Sequence, residues 1–422
     1  MAASLVLVAA ATSAALAYRP ALDRIAPPVR GTEDAVLVAR GTALAALGNC
    51  VACHTAPGGA PYAGGRALPT PFGTLYSRNI TPDAETGIGT WSEAAFRRAM
   101  QDGVDRAGSH LYPAFPYDHF TAVSDEDVRA LYAFLRARQP VRAVSPPNQL
   151  RFPLNVRPLL AGWKLLYFRS GRYTPDPTQD AQWNRGAYLA QGLGHCGACH
   201  TPRNALGAEQ RDDVMAGGTA EGWDSPPLIA GKSWSPTPWT ADELFNYLRH
   251  GVDSQHGAVA GPMSDVTHAL QAAPEADVRA LAVYFASLLV PARNGKAPAV
   301  ELARRPWPEA TGSIVDAGAT IFAGACAICH ANNTPTAQAG YPSLLLNTAL
   351  NAPTPRNAAR AVLGGIEAQD ETMGPLMPAF AAVLSDAQAA EVLRFLRDSV
   401  PGRAPWPDLE TSVREARREM AR

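Results

Sequence analysis

The sequence predicts an all-α chain of three tandem helical units. Three observations predict it. A five-residue motif of two cysteines and a histidine occurs three times, as Cys50-Val-Ala-Cys53-His54, Cys196-Gly-Ala-Cys199-His200 and Cys326-Ala-Ile-Cys329-His330, and uses all six cysteines. A helix-like run leads into each copy: "DAVLVARGTALAALGN", "DAQWNRGAYLAQGLGH" and "SIVDAGATIFAGA". An amphipathic run closes each unit: "SDEDVRALYAFLRA", "PEADVRALAVYFASL" and "SDAQAAEVLRFLRD". Its apolar residues recur at helical spacing, as in Val128, Leu131 and Leu135.

Length and composition fit several compact domains. The chain has 422 residues, enough for two or three domains. Lys plus Arg is 37 against 38 Asp plus Glu, so no bulk charge points to nucleic acid. Hydrophobic content is 47%, which excludes a disordered chain, while 35 Gly and 37 Pro imply many loops.

Taken in order, residues 1–34 are an export segment and tether. Ala2 to Ala17 is apolar, and no charge occurs before Arg19. Two readings stand. Ala15-Leu16-Ala17 has the small-x-small form of a signal-peptide cleavage site. The run is also at the short edge of the roughly 17–25 residues a membrane anchor needs. Both readings export the chain. Residues 35–138 form the first unit. Residues 139–180 are a Pro-rich linker containing the apolar "GWKLLYF", which either packs on a domain or meets a membrane or partner. Residues 181–290 form the second unit, 291–312 a second linker, 313–400 the third unit, and 401–422 a charged helix or tail. In each leading run a glycine stands eight to ten residues before the first cysteine (Gly41, Gly186, Gly318), where it would let another helix cross closely. Ser385 with Gln388 is a capping box that starts the last amphipathic helix; Ser124 with Asp127 is a weaker version.

C-x-x-C-H reads as a c-type haem attachment site. Two thiols one helical turn apart each bond a haem vinyl group, and the next histidine points its imidazole at the iron. A zinc site needs four ligands in one domain, and these pairs lie 146 and 130 residues apart. A disulfide framework gives no reason for the same form three times. The reading is three tandem class I cytochrome c-like domains with one covalent haem c each. Cys50, Cys53, Cys196, Cys199, Cys326 and Cys329 hold the haems, and His54, His200 and His330 are the first axial ligands.

The second axial ligand is sought among seven methionines. In the third unit Met377 precedes a proline in a loop, with Met373 as its rival. In the second unit Met263 lies in the loop before the last helix, with His256 as its rival; Met215 is too far from that helix. The first unit has only Met100, on the same helix face as Phe96, where core packing suits it better. Aligning "YPAFPY" with "GPLMPAF" puts Phe115 where Met377 stands, and phenylalanine cannot bind iron. His119, His110 and an open iron remain as readings there, with His119 preferred.

With these residues in view, the chain from about 35 to 400 resembles the three-haem cytochrome c subunits of bacterial membrane-bound dehydrogenases. The resemblance rests on the three C-x-x-C-H sites and on "TPFGTLYSRNITPD", "GIGTWS", "HLYPAFPYDHF", "CGACHTPRN" and "GAVAGPM". It implies a non-catalytic electron carrier on the periplasmic side of the inner membrane. The donor would be a catalytic subunit: a molybdenum hydroxylase acting on aldehydes or N-heterocycles, a flavoprotein or a quinoprotein. The acceptor would be ubiquinone or a terminal oxidase. Phe115, where alcohol dehydrogenase subunits would carry Met, tilts the reading towards the molybdenum hydroxylases. The rival function is a peroxidase-like haem enzyme using an open first iron.

Overall fold

The structure is a computed structural model that describes residues 17–29, 31–289, 316–331, 343–367 and 377–421. The N-terminal apolar run, the linker 291–312 and Met373 lie outside the described residues. Among the described residues no helix is long and apolar enough to cross a membrane.

The chain divides into two compact units. The first comprises Met1–Ala198, Asn204–Ala208 and Ala272–Pro274. Its helices are α1 (Ala35–Leu47), α2 (Cys50–Cys53), α3 (Glu93–Asp102), α4 (Tyr117–Phe120), α5 (Asp125–Ala137), α6 (Leu160–Tyr167) and α7 (Ala181–Gln191). The second comprises Cys199–Arg203, Glu209–Gln271 and Glu275–Arg422. It holds α9 (Ala241–His250), α10 (Pro262–Gln271), α11 (Glu275–Leu289), α12 (Ala317–Ile321), α13 (Ala327–His330), α14 (Thr348–Asn351), α15 (Arg356–Gly364), α16 (Asp386–Asp398) and α17 (Leu409–Met420). The short α8 (Gly197–His200), the second motif itself, straddles the division.

Asp34 starts α1 by accepting the N–H groups of Val36 and Leu37. α1 then crosses α5 at Gly41. A Cβ built there would lie 2.0 Å from the Ala130 carbonyl oxygen and 2.6 Å from Phe134 Cβ. Gly318 repeats the device, with Glu391 O at 2.2 Å and Phe395 Cβ at 2.8 Å, where α12 crosses α16. The helix-start signals divide. Ser385 and Gln388 form both halves of the capping box. Ser124 accepts from the Asp127 N–H, but the Asp127 carboxylate turns away. It is buried and takes Arg40 Nε at 2.8 Å and the Tyr188 hydroxyl at 2.6 Å. A buried carboxylate needs such partners; Arg40 ties α5 to α1, and Tyr188 ties α7 to α5.

That last bond explains why the expected boundary at residue 180 does not divide the contacts. Tyr188 also accepts the Ser124 N–H, and Leu193 lies where a Cβ at Gly48 would touch it. The segment entering the second motif is thus built onto the first unit.

The all-α expectation needs one correction. The segments after the first two motifs carry antiparallel hairpins, β1 (Ala67–Thr70) with β2 (Gly73–Tyr76), and β4 (Gly218–Ala220) with β5 (Trp223–Ser225). A third strand, β3 (Gln149–Leu150), adds to β2 from the linker. The end of the chain is a docked helix. Val413 and Ala416 of α17 are buried with Phe395, Leu396 and Trp406 in one apolar cluster. Arg417 reaches Asp386 Oδ1 at 2.7 Å and Leu384 O at 2.7 Å, at the start of α16.

Candidate functional site

The first motif is one helical turn. Asn49 takes a left-handed φ of 47° after α1, which turns the chain into α2. The His54 N–H then bonds Cys50 O at 3.1 Å. The His54 imidazole is held by its Nδ1, 2.7 Å from the Arg78 carbonyl oxygen. A carbonyl only accepts, so Nδ1 carries the proton and Nε2 keeps its lone pair. Metal-binding histidines are commonly oriented by such a bond from the ring nitrogen that does not touch the metal. Burial pushes the His54 pKa down, against the Arg78 bond that raises it. The ring is therefore neutral, the form that binds a metal. Burial, then the neighbouring Cys53, pushes the Cys50 thiol up to about 12.

The second motif repeats this construction part by part. His200 Nδ1 is 2.7 Å from the Pro226 carbonyl, and burial pushes its pKa down. The threonine after each histidine accepts one backbone N–H: Thr55 from Tyr62, and Thr201 from Met215. Both donors have positive φ, 65° and 59°. The histidine carbonyls accept from Gly64 and Gly217, each at 2.8 Å. A hairpin follows in both, and the orienting carbonyl comes just after it. Asn79 locks that carbonyl in the first unit: its side chain bonds Val141 O at 2.7 Å and the Thr81 N–H at 2.9 Å. So "YSRNITPD" works as the rigid support of His54.

The third motif is entered through a wider π-type turn, Phe322–Cys326, and α13 carries His330. Burial pushes the His330 pKa down as well. None of the six cysteines, all among the described residues, is in a disulfide.

The structure also sorts the methionines. After each of the first two motifs comes a helix ended by a left-handed glycine and then a short antiparallel turn. The closing bonds are Leu111 N to Gly103 O (2.8 Å) and Val259 N to Gly251 O (2.9 Å). Phe115 and Met263 each stand four residues past that bond, so Phe115 holds the place of Met263. Met263 is not in a loop; it is the second residue of α10. Met377 pairs with Ile366 in an isolated bridge, just after the glycine that ends α15, with both backbone bonds near 3.0 Å. Met100 is buried beside Phe96 in the core, and Met215 is buried too.

The histidine candidates of the first unit separate. His110 is buried with Nε2 2.9 Å from the Ala17 carbonyl, so Nε2 carries the proton and only Nδ1, without a hydrogen-bond partner among the described residues, keeps a lone pair. His119 lies on α4 with Nδ1 2.9 Å from Gln191 O, the same orientation device as at His54. His256, the rival of Met263, is stacked on Trp239 at 3.3 Å and buried, with Nδ1 against Ser235 and Thr237. Its Nε2 faces Glu243 Oε2 at 3.6 Å. Burial pushes its pKa below the ordinary 6.5 despite Glu243 and Asp253. The unfolded chain then takes up this proton first on acidification. The stability from a neutral His256 is present above about pH 6.5 and is lost as pH falls below it, by at most about 1.4 kcal/mol per pH unit. Urea midpoints measured from pH 7.5 to 5 should fall, and His256→Gln should flatten the fall; equal slopes would refute the buried neutral ring.

Paired thiols on one helical turn, without disulfides, beside imidazoles fixed through Nδ1, fit covalent haem c with Nε2 on the iron. Comparison with known proteins agrees. The cytochrome c family profile matches residues 38–139 and 315–399. The cytochrome c subunit of gluconate 2-dehydrogenase from Pantoea cypripedii is 37% identical over 382 residues, covering 86% of this chain and 85% of that protein. The cytochrome subunit of fructose dehydrogenase from Gluconobacter japonicus is 35% identical, covering 85% of this chain and 78% of that protein. This chain belongs to the dehydrogenase cytochrome c subunits. Its family carries haem c bound through such cysteines. A nicotinate dehydrogenase subunit from Pseudomonas putida is 46% identical over 407 residues; the match covers 96% of this chain but spans only 34% of that longer protein.

Proposed function

We propose that this dehydrogenase cytochrome c subunit holds three covalent haems, at Cys50/Cys53, Cys196/Cys199 and Cys326/Cys329, and relays electrons from a catalytic partner. His54, His200 and His330 are the first axial ligands, Met263 and Met377 the second ligands of the last two irons, and His119 that of the first. The donor is a molybdenum hydroxylase acting on aldehydes or N-heterocycles, and the acceptor is ubiquinone or a terminal oxidase on the periplasmic side of the inner membrane. The observation that carries the relay is the repetition: the histidine support at Arg78 is rebuilt at Pro226, as a row of similar carriers requires. Nicotinate is an N-heterocycle, and the 46% relative named for it supports that donor class. The fructose and gluconate relatives favour a second reading, a sugar or sugar-acid dehydrogenase partner.

Cofactor analysis of the complex purified through a tag on this chain separates these readings. Three haems per chain with molybdenum are expected; flavin or a quinone cofactor in molybdenum's place moves the chain to the sugar or alcohol enzymes. His119→Ala should turn the first haem high-spin, and an unchanged low-spin spectrum would reject His119. Cyanide binding to the unmodified chain would revive the peroxidase-like reading, because it needs an open iron.

A further inference from the structure

Helix α6 is inside out. Around its axis Trp163, Lys164 and Tyr167 face the rest of the first unit, and Leu165 and Leu166 face away; Leu159, also exposed, ends the short turn before the helix. Lys164 is buried with its Nζ 2.6 Å from both Asp102 O and Gly103 O, the carbonyls at the end of α3, and 4.5 Å from the centre of the Tyr117 ring. An ammonium at a helix C-terminus is well placed. Trp163 Nε1 donates to Leu206 O at 3.0 Å, which fixes the same face. The leucines have no such use. Leu165 is 75% exposed, Leu166 64% and Leu159 57%, and Phe152, ahead of the short turn that leads into the helix, is 82% exposed. Ordinary surface helices bury leucine and expose lysine. Exposed apolar side chains gathered in one segment mark an interaction surface.

Charge says what that surface meets. Residues 139–175 hold no Asp or Glu; of their six basic residues Lys164 is buried, and Arg142, Arg157 and Arg172 pair with Glu85, Asp105 and Asp125, which leaves Arg151 and Arg169 to serve that surface. Arg151 and Arg169, both exposed, flank the leucines at the two ends. Apolar side chains on one face, bounded by arginines, suit the boundary of an anionic bilayer. α6 has eight residues, far too short to span one. We propose that α6 and the Phe152 turn form an interfacial docking face that lies in the surface of an anionic membrane, with Lys164 fastening the helix to the first unit. This does not depend on which dehydrogenase is the partner.

The substitutions fall on exposed side chains, so folding is not at stake. The purified holo-chain would be mixed with vesicles of phosphatidylcholine and phosphatidylglycerol and separated by flotation. Leu165→Asp with Leu166→Asp should weaken binding about tenfold or more. Gly162 lies on the same face with open space around it, so Gly162→Leu should strengthen binding. Removing phosphatidylglycerol, or adding salt, should weaken it. Hydrogen exchange should show vesicle-dependent protection of residues 157–168. The proposal is overturned if the double variant floats like the unmodified chain, since the N-terminal segment would then account for all binding. It is equally overturned if vesicles leave α6 unprotected while the purified catalytic subunit protects it, for the face would then be a protein interface.

Discussion

Gly41→Ala should cost the first unit about 3 kcal/mol or more and lower its haem content. Two effects oppose each other. Alanine is the better helix former by about 1 kcal/mol in a helix interior. Against that, the new Cβ would sit 2.0 Å from a backbone carbonyl of α5, and no rotamer can relieve a clash with backbone. Overpacking a tight core costs about 1–3 kcal/mol even where side chains can yield, so the clash wins. α1 and α5 would have to part, and the Arg40–Asp127 pair between them would weaken with them. Gly318→Ala should act likewise on α12 and α16. Gly162→Ala is the control: it adds the same methyl in open space and should leave stability unchanged or slightly higher. Urea unfolding of the three variants decides the matter. A Gly41→Ala chain as stable as the control would mean that the helices do not cross as closely as the structure has them.

The same comparison shows what the sequence could and could not reveal. Gly41 and Gly318 were legible because a glycine inside a helical run has no local reason to be there, which leaves close packing as its use. The Ser385 capping box was legible because both partners lie within four residues. Ser124–Asp127 has the same spacing, yet its carboxylate serves Arg40 and Tyr188, distant in sequence, and no local rule anticipates that. The haem motifs stand out because thiol spacing and ligand order are fixed by the cofactor. Their supports do not: Arg78 and Pro226 act through backbone carbonyls, which leave no mark of residue type. Even so, two parallel signals were present, a threonine after each of the first two histidines and a pair of glycines (Gly64-Gly65, Gly217-Gly218) before each hairpin. The docking of α17 was hidden because Val413 and Ala416 are surrounded by charge. α6 was hidden because its lysine is the buried residue and its leucines are not.

On the proposed ligand assignment, Phe115→Met and Met263→Phe should have opposite and large effects on the first and second haems. The two residues occupy one position of a repeated turn, four past the bond that returns to Gly103 or Gly251. Thioether sulfur is an iron ligand and a phenyl ring is not, so under the proposed assignment identity at this position would set the iron's second axial ligand. Met263→Phe should leave the second iron without its sulfur, giving a high-spin haem that binds cyanide. Phe115→Met offers sulfur to the first iron. If His119 is the native ligand there, methionine must displace it, and the potential should rise by on the order of a hundred millivolts within the ≈ 0.8 V that axial ligands span. If the native site is open, the same change should convert a high-spin haem to low-spin and abolish cyanide binding. Optical redox titration with spin-state measurement reads both. Should Phe115→Met alter neither potential nor spin state while Met263→Phe opens its iron, the two turns would not be equivalent, and Phe115 would have to be read instead through its edge-to-face packing on Phe120, 5.2 Å away. Phe120 in turn packs edge-on to His195, next to Cys196 of the second motif, at 5.7 Å. A methionine at 115 would therefore also loosen the aromatic contact between the first distal turn and the second motif, so the variant's stability needs to be measured beside its potential.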